Sequence, residues 1–278
     1  MSIGFINGEF VPIDQLVIPI EERGHQFGDG VYEVIRVYRG KPFMLAEHLE
    51  RLKQSAEAIR IKPRYSYEQI GEFILQGIEK SGLAGQDAQV YLQITRGIAP
   101  RQHLFPDVPS SLTMTIRPAT ILPAPLREKG ATAMCLPDER WANCYIKTLN
   151  LLPNVLAKQK AHEAGFYEAI FYKDGYVTEG SSSNVFMVKD GKIYTTPLTR
   201  QILNGITRQV VLNLANALSI PLEEKHVTVE ELKEADEVFI TNTVAEILPV
   251  VQVDEVTIGT GKPGVITNKL YEEFKKLV

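Results

Sequence analysis

Cysteine is scarce in this 278-residue chain, which contains only Cys135 and Cys144. Two cysteines are too few for a disulfide scaffold, and no Cys-x-x-Cys pair suggests a zinc site or a redox dithiol. The sequence also lacks the eighteen-residue apolar run of a transmembrane helix, and its N-terminus has no basic segment followed by an apolar stretch. These absences predict a protein of a reducing compartment, which we expect to be the cytoplasm, and no metal cofactor.

An excess of charge of either sign is lacking too. The chain has 30 lysines and arginines against 34 aspartates and glutamates, a formal net charge of −4. No global field therefore favours nucleic acid or an anionic membrane surface as a partner. Hydrophobic residues make up 44% of the chain, which suits one large domain or two smaller ones. The composition thus favours a globular protein with a small-molecule partner.

Several nucleotide-binding and hydrolytic motifs are missing. The glycine-rich segment 24–30 has no Gly-Lys-Ser/Thr and no strand-to-helix context, and in segment 258–264 a proline follows Lys262. The pair His162-Glu163 lacks the second histidine of His-Glu-x-x-His, and Gly180-Ser181-Ser182 does not form a Gly-x-Ser-x-Gly elbow. Phosphate-loop, zinc-hydrolase and serine-hydrolase functions are therefore excluded as interpretations.

Periodicity predicts hairpins and two helices in the first part of the chain. Asn7-Gly8 and Arg39-Gly40 are turn dipeptides, each between apolar runs suited to strands. Helical spacing of apolar residues predicts helices over 45–59 and 67–80, and strands are expected over 89–95 and 112–116. Three prolines then fall within the segment 117–130, which is typical of an interdomain linker.

The second part of the chain shows the same mixture of patterns. An apolar run covers 131–136, strands are predicted over 168–172, 184–188 and 237–241, and helices over 153–163, 206–218 and 263–277. Asp174-Gly175 and Asp190-Gly191 mark hairpin turns. We therefore predict an α+β fold with mixed or antiparallel sheets: residues 1–118 form a small N-terminal domain, 119–127 a linker, and 128–278 a larger C-terminal domain.

Three polar segments lie in apolar surroundings and are candidates for chemistry: one around Lys147, one around Glu179, and residues 202–208. A lysine flanked by apolar residues suits imine formation, because desolvation favours the neutral amine. Taken alone, however, Lys147 fits a strand-end lysine with its amine in water, and Glu179 fits a solvated turn. The residues by themselves leave both alternatives open.

Three long runs of sequence carry a resemblance to a known family. The segments RGHQFGDGVYEV, NLLPNVLAKQKAHEAG and TEGSSSNVF resemble the fold-type-IV pyridoxal-phosphate enzymes, which include branched-chain aminotransferases, D-amino acid aminotransferases and aminodeoxychorismate lyase. The resemblance extends over nearly the whole chain and is strongest to the bacterial D-amino acid aminotransferase branch. It implies a two-domain fold whose larger C-terminal domain, with a mixed-sheet, barrel-like core, binds pyridoxal 5'-phosphate.

The resemblance also implies the residues that hold the cofactor. Lys147 would form the Schiff base and then move a proton, and Glu179 would face the pyridine nitrogen and keep it protonated. The neighbouring Ser-Ser-Ser-Asn segment would orient the ring. A helix N-terminus suits an anion because its N–H groups are unpaired. The expected phosphate ligands are Arg51, which shares a helix stripe with His48, and Ile206, Thr207, Asn242 and Thr243.

Substrate recognition follows the same pattern. In the D-amino acid branch, a tyrosine and an Arg-x-His loop from the other subunit hold the substrate carboxylate. Here these residues correspond to Tyr32, Arg101 and His103, and arginine's fork suits a carboxylate. Val34 and Leu203 correspond to residues that line the pocket. We therefore expect a homodimer, although composition alone would make 101–103 a plain solvated loop.

The implied reaction is ping-pong transamination of a D-amino acid such as D-alanine or D-glutamate, with 2-oxoglutarate or pyruvate as acceptor. One alternative is a branched-chain L-amino acid aminotransferase, and a second is aminodeoxychorismate lyase; the Arg-x-His loop argues against both. A cofactor-binding protein without turnover is disfavoured because Lys147, Glu179 and Arg101 are all intact. Pro153 and Asn242 depart from the residues usual in the family, which should affect rate or substrate range.

Overall fold

The computed structural model describes residues 2–278. Each helix and strand is numbered in chain order. The strands are β1 (Ile3–Ile6), β2 (Glu9–Val11), β3 (Gly30–Tyr38), β4 (Lys41–Pro42), β5 (Ala88–Thr95), β6 (Ser111–Pro118), β7 (Ala131–Pro137), β8 (Glu168–Lys173), β9 (Tyr176–Gly180), β10 (Asn184–Lys189), β11 (Lys192–Thr195), β12 (Leu222–Glu224), β13 (Glu237–Asn242), β14 (Glu246–Val253) and β15 (Val256–Thr257). The helices are α1 (Arg23–Phe27), α2 (Leu45–Ala58), α3 (Tyr67–Lys80), α4 (Ala124–Lys129), α5 (Leu152–Glu163), α6 (Ile206–Ala217), α7 (Val229–Lys233) and α8 (Val265–Leu277).

The chain divides into two compact units. The first contains the residues up to Thr120 together with Ile146–Asn150, and the second contains Ile121–Tyr145 and Leu151–Val278. The predicted domain limits, with a linker at 119–127, differ from these units in one respect, since Ile146–Asn150 lies in the predicted C-terminal domain but packs with the first unit. As limits of independently folding domains, they remain a prediction.

The first unit is built on a six-stranded antiparallel sheet in the order β2-β1-β6-β5-β3-β4. The predicted hairpins at Asn7-Gly8 and Arg39-Gly40 are confirmed, and all four turn residues have positive φ. Helices α2 and α3 pack on the sheet through buried aliphatic side chains such as Leu52. The predicted helices are thus confirmed within a residue.

A capping box fixes the start of α3. The Ser66 hydroxyl accepts a hydrogen bond from the Gln69 backbone N–H at 3.2 Å, and the Gln69 side chain accepts one from the Ser66 N–H at 2.9 Å. Two of the N–H groups that a helix start leaves unpaired are satisfied in this way. Gly82 follows the helix at a φ of 72°.

Segment 146–150 joins the edge of strand β3 in the first unit. The Tyr32 N–H donates to the Lys147 carbonyl at 3.0 Å, and the Leu149 N–H donates to the Gly30 carbonyl at 3.0 Å. Gly30 permits this approach, because a Cβ atom there would lie 2.7 Å from the Leu149 Cδ1 atom and 2.7 Å from the Ile94 carbonyl oxygen. The backbone around Lys147 is therefore held by strand pairing.

The second unit contains a mixed sheet in the order β12-β11-β10-β13-β14-β7-β8-β9, with β15 paired to β14. β7 pairs in parallel with both β8 and β14, and β11 with β12, while the other pairs are antiparallel. Strands β9 and β10 stand five strands apart in this order, yet only residues 181–183 join them. The sheet must therefore curl, which agrees with the predicted mixed, barrel-like core.

Two features of the second unit were not predicted from the sequence. Helix α4 lies inside the segment interpreted as an irregular linker, because Pro125 falls at the first turn of a helix, where its missing N–H costs nothing. Strand β9 carries Glu179, which the sequence had left in a polar segment. The predicted α+β class is confirmed. Among residues 2–278, no helix combines the length and apolarity needed to cross a membrane.

Candidate active site

Lys147 lies in the first unit with its amine against an aromatic face. The Nζ atom is 4.2 Å from the centroid of the Tyr32 ring, and the backbone N–H donates to the Ser55 hydroxyl at 3.2 Å. The side chain is half-buried rather than extended into solvent. Two residues chosen separately from the sequence, Lys147 and Tyr32, are therefore brought together by the pairing of segment 146–150 with β3.

Strand β3 presents Tyr32 and Val34 on the same face. Both are half-buried, whereas Val31, Glu33 and Ile35, which point the other way, are buried. Tyr91 on β5 extends the first face, with its ring centroid 5.7 Å from that of Tyr32. Burial raises the pKa of Tyr91 to about 12, and Tyr32 adds to the effect, so its hydroxyl stays protonated and donates to Gln93.

Arg51 is the centre of a buried cluster that the sequence did not reveal. Its Nε and Nη2 atoms donate to the two carboxylate oxygens of Glu33 at 2.7 and 2.8 Å, and the His48 Nδ1 atom lies 2.7 Å from Glu33 Oε2. The predicted helix stripe shared by His48 and Arg51 is thus confirmed, and Glu33 is what the stripe faces. A glutamate in an apolar strand run was the available signal.

The ionisation states within this cluster are well separated. Burial alone would raise the pKa of Glu33, but the charge and hydrogen bonds of Arg51, with help from His48, hold it well below its usual value. Burial lowers the pKa of His48, against the attraction of Glu33. At neutral pH the cluster therefore holds one carboxylate, one guanidinium and a neutral imidazole, which must carry its proton on Nδ1 to face the carboxylate.

Arg101 and His103 lie on an exposed loop of the first unit. Both flank Phe27: the Arg101 guanidinium is 4.6 Å from the centroid of its ring, and the His103 ring is 5.6 Å away. The buried Arg23 anchors the loop by donating to the Gln102 carbonyl at 2.6 Å. Within the described part of the chain, neither residue forms a hydrogen bond or ring contact with Tyr32.

Glu179 ends strand β9 in the second unit and is buried, with both oxygens engaged. Its Oε1 atom accepts from Arg140 Nη1 at 2.6 Å, and its Oε2 atom accepts from Asn184 Nδ2 at 3.2 Å and from the Leu203 backbone N–H at 3.0 Å. The predicted solvated-turn alternative therefore does not describe this glutamate. Burial raises its pKa above the usual value although Arg140 opposes the shift.

Leu203 takes part in this site through its backbone. Besides donating to Glu179, it accepts a hydrogen bond from Asn184 Nδ2 at 2.9 Å through its carbonyl. The amide of Asn184 thus ties the end of β9 to the segment before α6. A role of the Leu203 side chain in lining a pocket remains a prediction.

The serines after Glu179 face a second buried carboxylate. The hydroxyls of Ser181 and Ser183 donate to Glu168 at 2.5 and 3.1 Å, and Ser182 between them is exposed. Glu168 on β8 therefore clamps the connection between β9 and β10. Since two of the three hydroxyls are engaged in this way, orientation of a ring by this segment remains a prediction, for which Ser182 and Asn184 are the residues still to be considered.

Ile206 and Thr207 form the first turn of α6. Gly205 is the N-cap residue and provides no side-chain cap, so the first N–H groups are available to an anion. A Cβ atom at Gly205 would lie 2.1 Å from Asn184 Oδ1, which explains the glycine. Because Asn184 also contacts Glu179, the sequence places the helix start and the carboxylate around one amide.

Asn242 and Thr243 follow at the end of β13. The Asn242 Oδ1 atom accepts from the backbone N–H groups of Val244 and Ala245 at 2.9 and 2.6 Å, so this side chain closes its own turn. Thr243 is half-buried at that turn. Phosphate binding by either residue remains a prediction.

Within each unit, the donors present fit the chemistry of pyridoxal phosphate. The first unit offers an amine on an aromatic face and a buried arginine. The second offers a buried carboxylate, which suits a cationic ring nitrogen, and a helix start without a side-chain cap, which suits a phosphate. None of these groups was chosen from the sequence for its tertiary surroundings.

Comparison with known proteins identifies the family. The amino-transferase class IV profile matches residues 30–253. The chain belongs to the class IV aminotransferases, the family that its sequence resembles and its fold shares.

The individual relatives cover almost the whole chain. It is 43% identical over 279 residues to a D-alanine aminotransferase of Staphylococcus epidermidis, covering 100% of this chain and 98% of that one. It is 45% identical over 267 residues to a D-alanine aminotransferase of Bacillus licheniformis, covering 95% and 93%. Among solved structures, the branched-chain amino acid aminotransferase of Escherichia coli superposes with a TM-score of 0.92 at 30% identity, covering 99% and 94%. A branched-chain amino acid aminotransferase of T.th., solved with pyridoxamine 5'-phosphate, gives a TM-score of 0.91 at 29% identity, covering 99% and 93%.

Proposed function

We propose that this chain is a pyridoxal-phosphate-dependent aminotransferase that transfers the amino group of D-amino acids, D-alanine foremost, to a 2-oxo acid such as 2-oxoglutarate or pyruvate. The observation that carries the proposal is the Lys147 amine, 4.2 Å from the centre of the Tyr32 ring in an otherwise apolar strand environment. Relatives with D-alanine aminotransferase activity in their names are 43% and 45% identical over nearly the full chain.

Each residue has a distinct task in the reaction. Bound pyridoxal phosphate supplies an electron sink that stabilises the carbanion formed when the substrate Cα atom loses its proton. Lys147 attaches the cofactor through Nζ and, once displaced by the substrate, moves the Cα proton. Glu179 keeps the ring nitrogen protonated, and the α6 start at Ile206 and Thr207 binds the phosphate, with Arg51, Asn242 and Thr243 as further ligands.

Recognition of the D-substrate uses the first unit. Tyr32 lies beside the Lys147 amine, so its hydroxyl and ring define the surroundings of the substrate carbon. We assign binding of the carboxylate to Arg101 and His103, with Val34 and Leu203 as pocket walls. Branched-chain L-amino acid aminotransferase is the second candidate, because the branched-chain enzymes share this fold at TM-scores of 0.92 and 0.91, although at only 30% and 29% identity.

Two measurements test the proposal. Purified protein with pyridoxal phosphate should consume D-alanine with 2-oxoglutarate and form D-glutamate and pyruvate, and it should leave L-leucine largely unchanged. Consumption of L-leucine alone would contradict the substrate class. Borohydride reduction and peptide mapping should place the pyridoxyl group on Lys147, and the Lys147→Ala variant should lose both label and activity. Label on another lysine would overturn the site.

We further propose a homodimer in which the Arg101 and His103 loop serves the active site of the partner subunit. Support comes from the loop itself, which is exposed along with the apolar side chains of Leu104 (79% exposed) and Phe105 (53%). Apolar residues of this size on an exposed loop are typical of association surfaces. Hydrodynamic analysis should therefore find a dimer.

Subunit complementation tests the exchange of loops. Lys147→Ala and Arg101→Ala/His103→Ala chains should each be inactive, and a mixture refolded together should regain activity, because one site of the mixed dimer has an intact lysine and an intact loop. An inactive mixture, with mixed dimers confirmed by mass, would show that the loop serves its own subunit.

We also propose a cytoplasmic location. Cys135 and Cys144 are unpaired, and burial raises their pKa to about 12 and about 11, so both are protonated, unreactive thiols suited to a reducing compartment. Fractionation of the producing cells should recover the activity with cytoplasmic markers, and recovery with an exported marker would contradict it.

A further inference from the structure

Two carboxylates share one guanidinium at the buried end of strand β9. Asp138, Arg140 and Glu179 have side chains that are 6%, 6% and 7% exposed. With both carboxylates ionised, the cluster carries one negative charge in excess. Buried charges are costly unless they are paired, so this imbalance calls for a physical reason.

The guanidinium is not shared equally. Its Nε atom donates to Asp138 Oδ1 at 2.9 Å and its Nη2 atom to Asp138 Oδ2 at 2.7 Å, a two-pronged contact. Only Nη1 reaches Glu179. Asp138 is fixed in turn by the Thr178 hydroxyl at 2.8 Å, and the guanidinium lies 4.7 Å from the centre of the Phe171 ring. Arg140 is therefore held on Asp138 and offers Glu179 a single donor.

The ionisation behaviour follows this geometry. Burial would raise the pKa of Asp138, but the Arg140 contact lowers it below its usual value. Burial raises the pKa of Glu179, Arg140 opposes the shift and Asp138 adds to it. The remaining groups that face Glu179 are the neutral Asn184 amide and the Leu203 N–H, and nearby Cys144, with a pKa raised to about 11, is uncharged.

We propose that Asp138 and Arg140 are a positioning pair that sets the charge of Glu179: Arg140 holds and partly neutralises the carboxylate, while Asp138 withholds the rest of the guanidinium, so that Glu179 keeps a need for one further cation. The identity of that cation rests on the proposed function, in which it is the protonated ring nitrogen. Full neutralisation by arginine would remove the electrostatic reason for Glu179 to hold a proton on that nitrogen.

Two substitutions should move Glu179 in opposite directions. Asp138→Asn frees the guanidinium for Glu179 and should lower the midpoint of its titration. Arg140→Met removes the guanidinium and should raise it. We expect each shift to be about 1 pH unit or more, as for other charges within hydrogen-bonding distance. Arg140→Lys keeps the charge without the fork and should fall between Arg140→Met and the wild type.

The titration is measured on the cofactor-free full chain by infrared difference spectroscopy, with Glu179→Gln as the blank that identifies the carboxyl band. Lys189→Met is the matched control, because it breaks the half-exposed pair with Asp236 and should leave the midpoint unchanged. Circular dichroism confirms that each variant is folded. Midpoints that stay unchanged, or that move in the same direction in Asp138→Asn and Arg140→Met, would overturn the proposal.

A second readout uses the holoenzyme. Asp138→Asn should weaken pyridoxal phosphate binding by about tenfold per pH unit of midpoint shift, measured by absorbance titration. On a Glu179→Gln background the same substitution should have no such effect, since Asp138 acts through Glu179. An equal loss on both backgrounds would show a merely structural role.

Failure of this proposal can be told apart from failure of the proposed function. If the midpoints move but Lys147 carries no pyridoxyl label, the charge-setting pair stands and the proposed function is wrong. If Lys147 is labelled and D-alanine is consumed while the midpoints stay fixed, the pair is wrong and the function stands.

Discussion

Glu33 in the first unit and Glu179 in the second are both buried, and both are paired with an arginine, yet their pKa values move in opposite directions. Glu33 receives two donors from Arg51 and one from His48. Glu179 receives one donor from Arg140, which is committed to Asp138. The difference teaches that the number of charges sharing a guanidinium, more than the presence of an arginine, decides whether a buried carboxylate is quenched or remains available.

Removal of Arg51 should have the largest effect on this comparison. Arg51→Met leaves Glu33, 1% exposed, with only a neutral imidazole, and breaking a buried ion pair in this way costs about 3–5 kcal/mol. Urea unfolding at neutral pH should show a midpoint shift of that size, while Lys189→Met, which breaks a half-exposed pair, should hardly differ from wild type. A loss no larger than that control would mean that the cluster contributes little.

The pH dependence of Glu33→Gln and Glu179→Gln should differ in sign. Because the folded-state pKa of Glu33 lies below its model value of 4.5, its ionisation stabilises the fold above that value, and the gain is lost as the pH falls through the folded-state pKa. Glu33→Gln should thus cost about 1–3 kcal/mol at neutral pH, and less in acid.

Glu179 should behave in the opposite way in the cofactor-free chain. Its folded-state pKa is raised, so ionisation destabilises the fold progressively as the pH rises from 4.5 through the folded-state value. Glu179→Gln should therefore match or exceed the stability of the wild type at pH 8, with the advantage shrinking in acid. Thermal unfolding across pH measures both variants, and parallel curves for the two would remove the distinction between the clusters.

His48 should have the smallest effect of the three. Its lowered pKa keeps it neutral at neutral pH, so it contributes a hydrogen bond rather than a charge. His48→Leu should cost about 1–2 kcal/mol. The cost should be constant above pH 6.5 and decline below it, because the unfolded histidine then takes up a proton before the folded one. A cost that instead grows as the pH falls below 6.5 would show that His48 is charged in the cluster.

Local sequence patterns predicted most elements of the fold. Turns at Asn7-Gly8 and Asp174-Gly175 depend on residues that tolerate positive φ, and helices α2 and α3 depend on apolar spacing. Both signals are contained within a few residues. Helix α4 was missed because prolines resemble linker residues until the first helical turn accommodates them. Strand β9 was missed because its polar residues are buried by partners distant in sequence.

The candidate site shows the same division. Lys147, Glu179 and Arg51 could be chosen by resemblance, because family runs surround them. Glu33, Asp138 and Arg140 could not, because an acidic or basic residue in a strand or loop acquires a role only through the charge that packs against it. The contact of Arg140 with Glu179 spans 39 residues, and that of Arg51 with Glu33 spans 18.

By itself the sequence determined the family, the hairpins, the main helices and the residue types available for binding pyridoxal phosphate, since these depend on local pattern and on long matching runs. Only the tertiary structure decided that the Lys147 amine lies on the Tyr32 ring, that Glu33 is satisfied within its cluster, and that Glu179 shares its arginine with Asp138. The physical reason is that burial and pairing set the ionisation of a side chain, and both arise from residues far apart in the chain.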